Sequence, residues 1–125
     1  MFSHVMIGTD DIAEAKTFYD AALGALGIRP GMATDTRVMY MHANGIFIVT
    51  LPINGEAACH ANGGTIGFAA ELGEQADAFH AAGLAAGGTA CEDPPGIREG
   101  AFGKLYLSYL RDPSGNKICA MHRAG

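Results

Sequence analysis

The chain has 125 residues, of which 49% are hydrophobic and 17% charged, with a net charge of −5, so one domain with a sizeable core is expected. No apolar run approaches the ~20 residues that span a bilayer, and Met1-Phe-Ser-His4 lacks the basic start of a secretory leader. No Lys/Arg cluster invites nucleic acid or an anionic membrane surface, which leaves a soluble, cytoplasmic protein with a small-molecule ligand as the expectation.

Phe2 to Ile7 carries aromatic and β-branched residues and predicts a strand. Thr9-Asp10-Asp11 then offers side-chain oxygens to cap a helix start. Ile12, Ala15, Phe18, Tyr19, Ala22 and Leu23 share one helical face, with Gly24 or Gly27 as the stop. Val38 to Met41 and Ile46 to Leu51 predict two strands joined at Asn44-Gly45, a strong hairpin signal. Residues 52 to 62 read as a loop.

A strand from Thr65 to Ala70 and a helix from Gly73 to Ala86 follow, with Gly87-Gly88 as stop. Thr89 to Cys91 predicts a short strand, and residues 93 to 100 an ordered or lid-like loop. Leu105 to Leu110 and Lys117 to Met121 form a last hairpin around Asp112-Pro-Ser-Gly115, where Pro fixes φ and Gly accepts the positive-φ position. Cys59, Cys91 and Cys119 are odd in number and lack Cys-x-x-Cys spacing, so no disulfide framework is expected.

The two halves echo each other. A constant offset of 61 residues relates Ala15 to Ala76, Phe18 to Phe79, Leu23 to Leu84 and Gly27 to Gly88. Two β-α-β-β-β modules, about 1–55 and 62–125 of a single domain 1–125, are therefore predicted. The fold class is α+β: a curved mixed sheet of about eight strands around a cavity, helices outside.

Several motifs carry a name. His4-x-x-Ile7, Phe18-Tyr19, Asn62-Gly-Gly, Gly67-Phe68-Ala69-Ala70, Asp77-Ala-Phe79-His80 and Arg111-Asp-Pro-Ser-Gly-Asn-Lys-Ile118 resemble the vicinal oxygen chelate superfamily, in its small single-domain glyoxalase-like branch. That superfamily includes glyoxalase I, bleomycin-resistance proteins and extradiol dioxygenases. In metal-using members four side chains, two from each half, converge on one divalent ion. Carried over, the resemblance implies His4, Ile48, Thr65 and Cys119 for those positions. Ile48 has no donor and Thr65 only a neutral hydroxyl, whereas such an ion takes imidazole and carboxylate donors. No metal and no other cofactor is expected.

Single residues add to this set. His4 could act as a general base or hydrogen-bond a ligand. Tyr106 and Ser108 share a strand face and are expected to line the cavity, Cys119 could be a reactive thiol or a small core residue, and Arg98 could reach an anionic ligand group or stay solvated. Two functions stay open. One is a binder of a small, largely apolar molecule held by His4, Ile48, Thr65, Tyr106, Ser108 and Cys119. The other is a glyoxalase-type lyase or isomerase acting on a small, for instance glutathione-conjugated, substrate with His4 as base. The resemblance further implies a homodimer.

Overall fold

The first strand, β1 (Val5–Gly8), hands over to helix α1 (Ile12–Gly24) through the Thr9-Asp10-Asp11 turn in this computed structural model, which describes residues 1–124. Asp11 is the N-cap, its carboxylate accepting from the Glu14 N–H at 3.0 Å. The helix ends where Gly27 takes φ +85° and the Ile28 N–H reaches back to the Leu23 carbonyl at 3.1 Å. Strands β2 (Met32–Ala33), β3 (Arg37–His42) and β4 (Gly45–Thr50) complete the first half.

The second half repeats the plan with β5 (Ile66–Ala69), α2 (Gly73–Ala85), β6 (Thr89–Ala90), β7 (Gly96–Gly100), β8 (Gly103–Arg111) and β9 (Lys117–Arg123). Both β5 and α2 begin 61 residues after β1 and α1. The offset then falls by one. The left-handed glycine that stops α2 is Gly87, at φ +104°, and Gly88 donates back to the Gly83 carbonyl at 2.8 Å. Gly87, not Gly88, is thus the counterpart of Gly27.

The strands form two sheets instead of one. Their orders are β1-β4-β3-β2 and β5-β9-β8-β6, with β7 also on β8; β1 and β5 run parallel to β4 and β9, and every other pair is antiparallel. The expected count of about eight becomes nine: the seven strands assigned along the sequence gain β2 at Met32–Ala33 and β7 at residues 96–100, which read as loop. Strand β8 is long, and β6 pairs only with its Leu110–Arg111 end, so the rest of that edge is free to take β7. The Pro94-Pro95 pair and the charged Arg98-Glu99 hid the strand pattern.

The hairpin register pairs His42 with Gly45, so the turn residues are Ala43-Asn44 and not Asn44-Gly45. Ala43 pays for this with φ 50°, a conformation that crowds its Cβ. Ala43→Gly is expected to raise stability by roughly 0.5–1 kcal/mol, read as a higher midpoint in urea denaturation. An unchanged or lower midpoint would contradict the strain.

One core serves both halves. Phe18, Tyr19, Leu23, Phe47, Phe79 and Leu110 are buried in a single cluster where α1 meets α2 and both helices meet the sheets. Phe47 and Phe68 meet across the sheet junction with ring centres 5.1 Å apart, and Tyr19 lies 5.0 Å from Phe47. Alternation along each strand therefore turns Val5, Ile7, Val38, Tyr40, Phe47, Val49, Leu110, Ile118 and Ala120 to the helices. The opposite faces carry Met6, Met39 and Ile48 on one sheet, and Leu107, Tyr109 and Cys119 on the other.

Candidate functional site

The register puts two of the four superfamily positions, Ile48 and Cys119, on the helix-distal faces. Met6 pairs with Ile48, and His4 lies two residues before Met6; Gly67 pairs with Cys119, and Thr65 lies two before Gly67. His4 and Thr65 precede β1 and β5, so the register fixes only one position in each half. Their chemistry does not suit a divalent ion. His4 is exposed, with Nδ1 2.8 Å from Ser3 Oγ, and Ile48 offers nothing. Cys119 is 6% exposed, and burial, with Glu92 nearby, pushes its thiol up to about 11, so it stays protonated at neutral pH. The nucleophilic reading of Cys119 gains no support from a thiol held in that form. Among the described residues no three His, Cys, Asp or Glu side chains gather as metal ligands.

Tyr106 and Ser108 lie on the opposite side from Cys119. Ser108 is fully buried and donates to the Ala76 carbonyl at 2.8 Å, while Tyr106 donates to Asp77 at 2.6 Å. Both fasten α2 to β8 and do not face the sheet cavity expected for them. Tyr106 and Ser108 do share one side of β8, and Tyr109 lies on the side that faces away from the helix. That Asp77 bond holds the Tyr106 phenol above its usual range. Arg98 spends its guanidinium on the Asp93, Pro94 and Gly96 carbonyls at 2.8–3.2 Å and rests 5.9 Å from the Tyr109 ring centre. It braces its own loop.

Three cavities flank these residues. None of the three includes His4, Ile48 or Cys119 in its lining; Thr65 borders the second, of about 250 Å³, beside Met6, Gly8 and His60. The first, about 470 Å³, lies on the helix-packed side where the sheets meet. Leu23, Leu26 and Ile28 from the end of α1 form one wall, and Phe47, Ile66 and Phe68 the other. Exposed His42 and Glu71 stand at its rim. Its volume falls within the range of small-molecule sites, which are mainly apolar with a few polar groups. Sequence reasoning missed this cleft. The available signal was Leu26 and Ile28, apolar residues placed beyond the helix stop that the helix stripe does not use.

The family model described as "Glyoxalase/Bleomycin resistance protein/Dioxygenase superfamily" matches residues 1–120. No curated protein matches the chain. Among solved structures, a glyoxalase/bleomycin resistance protein from Albidiferax ferrireducens T118 is 63% identical, with TM-score 0.96 and 98% of this chain and 99% of that one covered. A glyoxalase-related enzyme from Fulvimarina pelagi shares the fold at 15% identity and TM-score 0.75, covering 98% and 88%. A glyoxalase/bleomycin resistance protein/dioxygenase family enzyme from Burkholderia phytofirmans PsJN does so at 19% and 0.71, covering 96% of each chain.

Proposed function

The chain belongs to the Glyoxalase/Bleomycin resistance protein/Dioxygenase superfamily, and from that membership we propose that it binds a small, largely apolar molecule without metal chemistry. The observation that carries this reading is the cavity of about 470 Å³ walled by Leu26, Ile28, Phe47, Ile66 and Phe68. Apolar surface removed from water there contributes about 25 cal/mol per Å². The rim residues His42 and Glu71 supply the few polar contacts that orient a ligand. The chelating positions support the absence of a resident ion through their own chemistry: a thiol, an isoleucine, a threonine hydroxyl and one exposed imidazole form no oxygen-and-nitrogen cage.

The site called for in this reading is the cleft at the sheet junction, not the helix-distal face. Filling it tests the proposal. Ile66→Trp places an indole in the cleft and is expected to lower the affinity for 1-octanol or indole at least tenfold in calorimetric titration. Equal affinity in the variant and the parent would overturn the assignment.

The protein in this reading is a cytoplasmic homodimer. Among the described residues no helix is long and apolar enough to cross a membrane. The β7–β8 hairpin supports pairing, because Phe102 at its tip is 78% exposed and Ile97 on β7 is 49% exposed. Light scattering is expected to return twice the chain mass, and the mass of one chain would contradict it.

A further inference from the structure

The cleft at the sheet junction has one wall built from the chain that leaves α1. Leu23 belongs to the helix, whereas Leu26 and Ile28 sit on the segment 25–31 that runs from the helix end to β2. Backbone bonds hold the start of that segment: the Leu26 and Ile28 N–H groups both donate to the Leu23 carbonyl, at 2.9 and 3.1 Å. Its far part has little burial to keep it in place, since Gly27, Arg29 and Pro30 are exposed.

Asp20 fastens that far part. Its Oδ1 accepts from the Gly31 N–H at 2.9 Å and from the Tyr40 hydroxyl at 2.8 Å, while its Oδ2 pairs with Lys16 at 2.5 Å. One carboxylate thus joins α1, the segment and β3. Charge-assisted bonds of this kind are about twice as strong as neutral ones. Gly31 is seated as well as tethered. A Cβ there would stand 2.6 Å from both Tyr40 Cζ and Val38 Cγ2, so its backbone lies directly against the Tyr40 ring. Tyr40 itself lines the cleft, so latch and cavity share a side chain.

We propose that Asp20 is a positioning residue for the cleft: it holds residues 25–31 against β3 and so fixes Leu26 and Ile28 at a spacing that suits a slim apolar ligand. The inference rests on the binding reading of the same cleft. Asp20 does not line the cavity, so it acts through the wall. A wall held at both ends discriminates by cross-section. Held only at the helix end, it swings out, loses contact with slim molecules and admits bulkier ones. By linkage, a ligand that needs the latched wall must in turn favour the latched state.

Calorimetric titration with 1-octanol and with the bulkier 1-adamantanol tests this. Asp20→Ala is expected to weaken 1-octanol roughly three- to tenfold, the scale of one or two net hydrogen bonds. It should also lower the ratio of octanol to adamantanol affinity by about threefold or more. Asp20→Asn keeps an oxygen that can accept from Gly31 and Tyr40, and it should recover most of both losses although the Lys16 pair is gone. Gly31→Ala lifts the segment off the Tyr40 ring with Asp20 intact and should move the ratio in the same direction. A merely destabilised fold would lose affinity without changing the ratio. An unchanged ratio in Asp20→Ala, with octanol still bound by the parent at Leu23, Leu26 and Ile28, overturns the role of Asp20 and leaves the cleft standing as the site. A parent that binds neither alcohol overturns both. If the alanine variant fails to fold, amide exchange of Gly31 in the parent decides. Saturating octanol is expected to slow it about threefold or more, and an unchanged rate overturns the latch.

Discussion

Asp112→Ala is expected to cost about 3 kcal/mol or more, seen as a fall in thermal midpoint of roughly ten degrees or more. Asp112 is 4% exposed and accepts four hydrogen bonds: from the Tyr19 hydroxyl at 2.6 Å, the Asn116 side-chain amide at 2.9 Å, and the Ser114 and Asn116 N–H groups, both at 2.9 Å. The Tyr19 bond joins α1 of the first half to the β8–β9 turn of the second. Asn116 in turn donates to the Gly8 carbonyl at 2.9 Å, extending the network to β1. Deleting the carboxylate orphans a fully buried phenol and an amide together, so the loss exceeds that of one hydrogen bond. A midpoint within two degrees of the parent would contradict a large contribution of the Asp112 carboxylate to joining the halves.

The same network sets an alkaline limit. Burial, followed by the neighbouring Asp112 carboxylate, raises the Tyr19 phenol well above its ordinary 10.0. The folded state therefore favours neutral tyrosine. Its contribution is complete below the unfolded value near 10 and declines as pH rises above it. Tyr19→Phe is expected to flatten the loss of stability above pH 10 while lowering stability at neutral pH. Parallel pH profiles for variant and parent would contradict this.

The second large effect is expected at Gly88. A Cβ there would stand 2.5 Å from Phe18 Cε1, 2.9 Å from the Gly83 carbonyl oxygen and 3.1 Å from that of Arg111. Two of the three obstacles are backbone, and Phe18 is fully buried, so no flexible chain end can swing aside. Gly88→Ala should cost about 2–3 kcal/mol in chemical denaturation, within the range for overpacked cores. Gly24→Ala is the control: nothing lies within 4 Å of its Cβ, and it should be neutral or stabilising because alanine suits a helix. A Gly88→Ala protein as stable as Gly24→Ala would refute the close approach of the helices.

The repeat was legible because duplication leaves the helix faces in step; β5 and α2 start where the offset of 61 puts them, and the glycine stop slips by one. The short side chains of Thr9, Asp10 and Asp11 likewise announced the α1 start. Strand β7 was illegible because its pairing comes from an unoccupied stretch of β8 and not from its own alternation. The side of β8 that faces α2 was equally hidden. Tyr106, Ser108 and Leu110 alternate with Leu107 and Tyr109, and both sets contain a tyrosine and a leucine, so composition cannot choose the inward face.

The candidate site divides the same way. Placing Ile48 and Cys119 on the helix-distal faces needed only register. The cleft at the sheet junction needed the angle between two sheets, and that depends on contacts such as Phe47 with Phe68 that lie 21 residues apart. Arg98 illustrates a further gap, because its loop folds back on its own guanidinium through three carbonyls. A charged residue in a Pro-Gly loop gave no sign of that.

The most direct test of small-molecule binding is methyl NMR of the parent protein titrated with 1-octanol. Saturable shifts at the Leu23, Leu26 and Ile28 methyls, with the exposed Leu84 methyls unmoved, are the predicted result. Methyls of the cleft that stay in place up to the solubility limit of the alcohol would contradict it.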